Sequence, residues 1–132
     1  MAKHPPTVRP PTAQSSANQL LAALPAAEYA RIAPSLETIP LKLQERIHKP
    51  GEPIRHVYFP GGGFCSVLAV LEDGTMVEVA TIGREGAVGV SAIFDGDGTA
   101  SRSLSMVQAA AETCYRMPVE VFRQEMDRRG TF

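Results

Sequence analysis

The side chains of this chain that are suited to metal or redox chemistry are three histidines and two cysteines. A histidine and carboxylate metal centre needs two or three histidines that converge on one ion. His48 and His56 flank a turn, His4 lies near the N-terminus, and no pair has His-x-His spacing. An iron–sulfur sensor needs about four cysteine ligands, whereas Cys65 and Cys114 are far apart in apolar stretches. We expect surface or strand-end histidines, and two buried, reduced thiols rather than a redox pair.

The serines and the glycine-rich segment carry no recognisable catalytic motif. No serine or cysteine stands in a nucleophile elbow with a histidine partner, and Ser66 and Ser105 fit ordinary strand alternation. The segment Gly83–Gly89, GREGAVG, lacks the Gly-Lys-Ser/Thr ending of a Walker loop. These residues predict that the protein is not an enzyme.

Composition sets the class of protein. The 132 residues fit one domain, and 44% hydrophobic residues suffice for a core without disulfides. The net charge of -1 creates no positive field that would attract nucleic acid. No apolar run approaches the roughly 18 residues of a membrane span, and the N-terminus lacks the apolar core of a signal peptide. We therefore expect a cytoplasmic protein that makes no membrane contact.

Changes in composition divide the chain into four segments. Residues 1–17 contain four prolines and many small polar residues, which predicts a disordered N-terminal tail. Residues 18–36 predict short amphipathic N-terminal helices. Residues 37–117 are rich in short strands, and residues 118–132 predict one short C-terminal helix.

The predicted helices have recognisable starts. Asn18 is a candidate N-cap for the first helix, and Pro25 suits the first turn of the second. Pro118 suits the first position of the C-terminal helix for the same reason, since a proline there loses no hydrogen bond. The predicted buried stripe of that helix consists of Val121, Phe122 and Met126.

The strand-rich region alternates apolar and polar residues between glycine and proline turns. Ile39, Leu41 and Leu43 share one predicted face. Turns are predicted at Pro50-Gly51 and at the Glu72-Asp73-Gly74 hairpin. About eight short strands in this pattern predict a mainly β fold with flanking α-helices, as a sandwich, barrel or jelly roll.

These segments resemble a known family. Residues 50–90, PGEPIRHVYFPGGGFCSVLAVLEDGTMVEVATIGREGAVGV, resemble the β-roll of the cyclic nucleotide-binding superfamily. Gly51 after the second strand, Gly74 in the central hairpin and Gly83 before the glycine-rich loop follow the family order. The resemblance extends over about residues 18–129 and is closest to Crp/Fnr-type transcription regulators. It implies a double-stranded β-helix, which is a jelly roll.

The resemblance also implies a ligand cassette. Nucleotide-binding members carry Gly-Glu-apolar-Gly/Ala, then a loop and an Arg-Ser/Thr pair. Their backbone N–H groups form an anion nest, the arginine neutralises the cyclic phosphate, and the glutamate binds a ribose hydroxyl. The corresponding candidate ligand-binding residues here are Gly86, Ala87, Val88, Gly89, Arg102 and Ser103.

This chain departs from the family cassette in ways that affect the ligand. Ala87 stands where the family has glutamate, and Glu85 comes one residue before Gly86 instead of one after. An inserted DGDGT segment brings Asp95 and Asp97 near the expected phosphate site, which weakens anion binding. Three outcomes stay open: a cyclic nucleotide, another small anionic ligand, or a degenerate pocket whose glycines serve only the turns.

The resemblance implies a ligand-sensing, regulatory domain of a Crp/Fnr-family transcriptional regulator. Full-length relatives continue into a long dimerisation helix and a helix-turn-helix that binds DNA. We expect these 132 residues to lack both and to make no direct nucleic-acid contact. The expected partners are a small-molecule effector and either a second copy or another protein. Two alternatives are a degenerate β-roll that acts as a protein-interaction module, and a cupin-like metal enzyme, because cupins share the roll.

Overall fold

A computed structural model describes residues 16–90 and 103–128 of the chain. Seven β-strands lie within these residues: β1 Glu37–Leu41, β2 Arg46–His48, β3 His56–Pro60, β4 Phe64–Val70, β5 Met76–Ile82, β6 Ser103–Ala109 and β7 Ala111–Pro118. The described α-helices are α1 Gln19–Ala22, α2 Ala26–Ile32 and α3 Val119–Asp127, and a short 3-10 turn follows α2. Positions 1–15 of the predicted tail lie outside the described residues. So do positions 91–94, which belong to the short apolar stretch 90–94 of the sequence.

The strands form two antiparallel sheets. The three-stranded sheet has the order β1-β7-β3, and the four-stranded sheet has the order β2-β6-β4-β5. The prediction of a mainly β fold with flanking helices is confirmed. In the four-stranded sheet, Ser105 of β6 lies opposite His48 of β2 on one side and Val67 of β4 on the other. Val67 in turn lies opposite Ala80 of β5. Because residues opposite each other in an antiparallel pair share a face, these side chains point to the same side of the sheet.

Strand β3 of the three-stranded sheet is buried on both faces, whereas most of β1 is exposed. Val57 and Phe59 of β3 pack with the helices, together with Tyr115 and Met117 of β7. Tyr58, between the first two, packs instead into a second core between the two sheets. The strand His56–Pro60 is therefore a nearly continuous apolar run, because both sides of its pleat lose contact with water.

Both cysteines lie in the core between the sheets. Cys65 and Cys114 are fully buried and form no disulfide, as the sequence predicts. Burial raises the pKa of the Cys65 thiol to about 11. Burial and the neighbouring Cys65 raise the pKa of the Cys114 thiol to about 12. Both side chains act as small apolar residues, since the reactive thiolate is strongly disfavoured.

The helix starts agree with the predictions to within one residue. The Asn18 side-chain oxygen accepts hydrogen bonds from the backbone N–H groups of Leu20 and Leu21, at 2.9 and 3.1 Å, so the N-cap prediction is confirmed. The predictions for Pro25 and Pro118 are wrong by one position, since each proline immediately precedes its helix. Their ψ angles of 149° and 141° are extended, and the helical backbone begins only at the next residue.

The C-terminal helix buries an acidic residue that the apolar pattern misses. Phe122 is buried as predicted, and its other predicted stripe residues pack at the edge of the helix-facing core. Glu125 is also buried, because Arg31 of α2 approaches it to 3.0 Å and Arg128 to 3.4 Å. The Arg31 contact connects α2 to α3, whereas Arg128 contacts Glu125 from the C-terminal end of the same helix.

Candidate functional site

A cavity of about 140 Å³ lies against one face of the four-stranded sheet. Strand residues with small or apolar side chains form its floor, and the segment after β5 forms part of its wall. The lining residues are His48, Ile54, Val67, Ala80, Ile82, Ala87, Gly89, Val90, Ser103 and Ser105. Within the described residues this lining contains no carboxylate, lysine or arginine, so it is suited to an apolar or weakly polar part of a ligand.

Hydrogen bonds hold the wall segment against the helices. The buried Asn18 amide donates to the backbone carbonyls of Pro60 at 2.8 Å and Gly86 at 2.9 Å. The Gln19 N–H donates to the Arg84 carbonyl at 2.7 Å. One side chain therefore caps α1, contacts the end of β3 and positions the glycine-rich loop.

A second attachment joins the loop to β3. Val88 and Tyr58 exchange two backbone hydrogen bonds, at 2.8 and 2.9 Å. Val88 is fully buried and packs into the core between the sheets rather than lining the cavity. Because side chains alternate along an extended segment, its neighbours Ala87 and Gly89 line the cavity instead.

His48 packs directly against Gly89. Gly89 has a φ of +103°, and a Cβ there would lie 2.8 Å from His48 Cε1 and 3.0 Å from the His56 carbonyl oxygen. Only glycine fits this backbone angle and this close approach without strain. The conformation of the loop and the position of the imidazole ring therefore depend on each other.

The hydrogen bonds of His48 indicate its protonation state. Its Nε2 lies 3.0 Å from the His56 carbonyl oxygen, which can only accept, so Nε2 carries the proton. Its Nδ1 lies 3.4 Å from Ser105 Oγ and is left to accept from that hydroxyl. Burial lowers the pKa of His48 below its ordinary value, against an opposing contribution from the His56 hydrogen bond. The ring presented to the cavity is therefore neutral at pH 7.

Glu85 does not take over the role of the missing family glutamate. One Glu85 carboxylate oxygen accepts a hydrogen bond from the backbone N–H of Gly83 at 3.0 Å. This bond lowers the pKa of the Glu85 carboxyl, and the side chain is exposed. Glu85 stabilises the tight turn that begins the loop, in which the Gly86 N–H also donates to the Gly83 carbonyl at 3.1 Å.

The predicted ligand-binding residues occupy different positions around the cavity. Ala87, Gly89 and Ser103 line it, whereas Gly86 lies in the preceding turn and Val88 in the core. Arg102 lies outside the described residues, as do both aspartates of the inserted segment.

Two cavity residues contact each other across the four-stranded sheet. His48 ends β2, so the prediction of a surface or strand-end position is confirmed at the strand end, where the ring is buried. Ser105 lies in β6 as its strand alternation predicts, and its hydroxyl faces His48. No local motif marks either residue, because the pairing of β2 with β6 brings them together across 57 positions.

Comparison with known proteins identifies the family. A model of the cyclic nucleotide-binding domain matches residues 38–129, which is more than half of the chain. The chain belongs to the cyclic nucleotide-binding domain family. The resemblance inferred from the glycines and hairpins is confirmed, and the two-sheet fold is the β-roll of this family. A comparison with curated protein sequences found no match.

Solved structures share the fold of this cyclic nucleotide-binding domain. The regulatory subunit of a cAMP-independent protein kinase A from Trypanosoma cruzi, bound to guanosine, aligns with a TM-score of 0.71 and 16% identity, over 88% of this chain and 39% of that one. The c-di-GMP-responsive global regulator CLP from Xanthomonas campestris aligns with a TM-score of 0.64 and 16% identity, over 78% of this chain and 49% of that one.

A third similar structure is the N-terminal domain of a transcriptional regulator from Streptomyces coelicolor A3(2). It has a TM-score of 0.62 and 18% identity, over 85% of this chain and 76% of that one. The chain therefore spans less than half of the Trypanosoma cruzi and Xanthomonas campestris proteins. It spans about three quarters of the Streptomyces coelicolor domain.

Two further observations concern the described residues of this cyclic nucleotide-binding domain. None of the helices there is long and apolar enough to cross a membrane. No group of three or more metal-ligating side chains is gathered there in a position to hold an ion. The cavity beside the glycine-rich loop is a candidate ligand site.

Proposed function

We propose that this domain senses a small ligand for a Crp/Fnr-type transcriptional regulator, and that the ligand occupies the cavity between the four-stranded sheet and the loop 86–90. The observation that carries the proposal is the cavity itself, part of whose wall is formed by the loop that contains the candidate residues Ala87 and Gly89. That loop is attached to α1 through Asn18 and to β3 through Val88. A ligand that displaced the loop would therefore move the helices as well.

The described lining favours the apolar or weakly polar body of a ligand, because it supplies apolar side chains, two serine hydroxyls and the neutral ring of His48. We propose that Arg102 and Ser103 bind an anionic end of that ligand, with the backbone N–H groups of Ala87 and Gly89 nearby. The N–H groups of Gly86 and Val88 are already used within the fold. Ala87 offers no acceptor for a ribose hydroxyl, so ordinary cyclic AMP should bind more weakly than it binds to family members with glutamate there.

The size of the cavity narrows the ligand further. Its volume of about 140 Å³ is below the roughly 300–1,000 Å³ of pockets that enclose a whole drug-sized ligand. A ligand smaller than a nucleotide fits this conformation, whereas a complete cyclic nucleotide needs an outward movement of the loop. Calorimetric titration of the full chain with cyclic AMP, cyclic GMP, cyclic di-GMP and guanosine separates these cases. Absence of heat with all four at about 1 mM would refute the nucleotide version.

A pair of variants tests whether the ligand occupies this cavity. Ala80→Leu fills it from β5, and we expect it to weaken binding at least about tenfold, which corresponds to about 1.4 kcal/mol. Val79→Leu is the matched control on the same strand, since Val79 is 61% exposed and does not line the cavity. Equal affinities of the two variants would contradict the proposed location.

A second candidate function is self-association through β5 without a nucleotide. β5 is the outer strand of the four-stranded sheet as described, so one side of its backbone has no strand partner there. Its side chains Met76, Val77 and Val79 are exposed and apolar. An exposed apolar edge of this kind favours strand pairing with a second copy. Light scattering of the wild-type chain and of Val77→Ser/Val79→Ser tests this candidate, and a monomer at all concentrations contradicts it.

A further inference from the structure

A second cavity, of about 120 Å³, is formed by the turn between β2 and β3 and by the start of β3. Unlike the first cavity, it is lined largely by charged and polar side chains, among them Lys49, Glu52, Arg55 and His56. Its volume is roughly ten times what a single water molecule requires. It therefore has room for a small polyatomic ion.

The charges around this cavity are predominantly positive. Lys49 and Arg55 are both exposed, and neither forms an ion pair among the residues that the structure describes. Among the described lining residues, Glu52 is the only carboxylate. The nearby Arg116 is bound by Glu37 at 2.7 Å. Unpaired lysine and arginine side chains that converge on a polar cavity are suited to an anion, because the arginine fork binds two oxygens at once.

The backbone that carries these side chains is held in place. The Arg55 carbonyl accepts a hydrogen bond from the N–H of Val119 at 2.9 Å, where α3 begins. The next carbonyl, of His56, accepts from the His48 ring at 3.0 Å. The turn itself closes with the Glu52 N–H donating to the Lys49 carbonyl at 3.2 Å. An anion would thus meet donors on a preformed frame, which reduces the entropy cost of binding.

The imidazole of His56 reports the same positive surroundings. Burial lowers its pKa first, Arg116 and Arg55 lower it further, and Glu37 opposes them. At pH 7 the ring is neutral and has one N–H to donate. We propose that this cavity binds a phosphate-type anion through Lys49, Arg55 and His56. It is distinct from the cavity beside the glycine-rich loop, although the ring of His48 borders both.

The test is a titration of the full chain with inorganic phosphate at pH 7, in which the backbone amide NMR shifts of the turn between β2 and β3 are monitored. Chloride is added to keep the ionic strength constant. We expect saturable shifts, and at least about a tenfold loss of affinity in Lys49→Gln/Arg55→Gln. The matched control is Lys42→Gln/Arg46→Gln, which removes the same charge from exposed positions outside the cavity. It should change the affinity by less than about twofold.

A charge-removing variant of the opposite sign makes the test directional. Glu52→Gln should tighten phosphate binding severalfold, because it removes the one negative charge that the described residues contribute to the lining. A parallel titration with a phosphate monoester, glycerol phosphate, identifies the source of the anion. Tighter binding of the monoester assigns the site to the phosphate group of a larger ligand, and equal or weaker binding assigns it to free phosphate.

Three results would each overturn the proposal: shifts that do not saturate, equal losses of affinity in both double variants, or weaker phosphate binding in Glu52→Gln. Ala80→Leu, which blocks the other cavity, should leave these shifts unchanged, so the two sites fail or succeed independently.

Discussion

Replacing Gly89 with alanine tests the contact between the glycine-rich loop and the ring of His48. The new Cβ would lie 2.8 Å from His48 Cε1 and 3.0 Å from the His56 carbonyl oxygen, on a backbone with φ of +103°. Forcing a non-glycine residue into such a backbone angle costs about 1–3 kcal/mol, and overpacking a buried contact costs about 1–3 kcal/mol more. We expect the free energy of unfolding to fall by about 3 kcal/mol, a large part of the roughly 5–15 kcal/mol of a typical domain.

Gly51→Ala is the matched control that isolates the backbone contribution. Gly51 also has a positive φ, +82°, but a Cβ there meets nothing within 4 Å. This variant should cost only about 1–2 kcal/mol. Urea unfolding of both variants, monitored by circular dichroism, measures the difference between them, which is the steric cost at the His48 ring and the His56 carbonyl together.

A double-mutant cycle then isolates the share of that steric cost that arises at the His48 ring. His48→Ala alone loses packing and hydrogen bonds, but in its presence Gly89→Ala no longer meets Cε1. We expect a favourable coupling of about 1–2 kcal/mol between the two substitutions. The reasoning is refuted if Gly89→Ala lowers the free energy of unfolding no more than Gly51→Ala does. It is also refuted if the effects of His48→Ala and Gly89→Ala on that free energy are additive.

Further predictions concern the other buried polar groups. Glu125→Ala should lower the free energy of unfolding by about 2 kcal/mol, because it removes a buried carboxylate that holds two arginines. Arg31→Ala should lower the melting temperature more than Arg128→Ala, because the Arg31 side chain is 37% exposed and the Arg128 side chain 59%. Equal shifts of the melting temperature would contradict this order. Because the pKa of His48 is lowered from 6.5 in the folded state, the stability it contributes is present above pH 6.5 and is lost as the pH falls through its folded-state value. His48→Gln should therefore flatten the dependence of stability on pH between about 7 and 5, and an unchanged slope in urea melts would exclude the assignment. The two cysteine thiols, with pKa values of about 11 and about 12, are roughly one part in a thousand ionised or less at pH 8, so a thiol reagent should modify them only after denaturation, and rapid reaction of the native protein would contradict their burial.

Elements with a strong local pattern were predictable from sequence alone. The Asn18 cap, the hairpin at Asp73-Gly74 and the short strands between glycine and proline turns each depend on neighbours within a few residues. The order of these local signals was sufficient to identify the family, which the family model matches over residues 38–129. Predictions of this kind succeed because turn chemistry and capping are set by the backbone nearby.

Side-chain alternation was less informative where a strand is buried on both faces. The run Val57-Tyr58-Phe59 shows no polar face, and the sequence cannot say that Tyr58 faces the other sheet while its neighbours face the helices. Burial of this kind depends on which elements cover the sheet, and that is settled by long-range packing.

The sequence by itself determined the family, the strands and the glycines that permit the loop. The tertiary structure alone decided which side chains meet at the cavity. Glu85 lies near the expected glutamate position in sequence, yet its carboxylate accepts a hydrogen bond from the Gly83 N–H. His48, by contrast, is far from the loop in sequence and packs against Gly89. The physical reason is that sheet pairing joins residues across long stretches of chain, and no local spacing records those contacts.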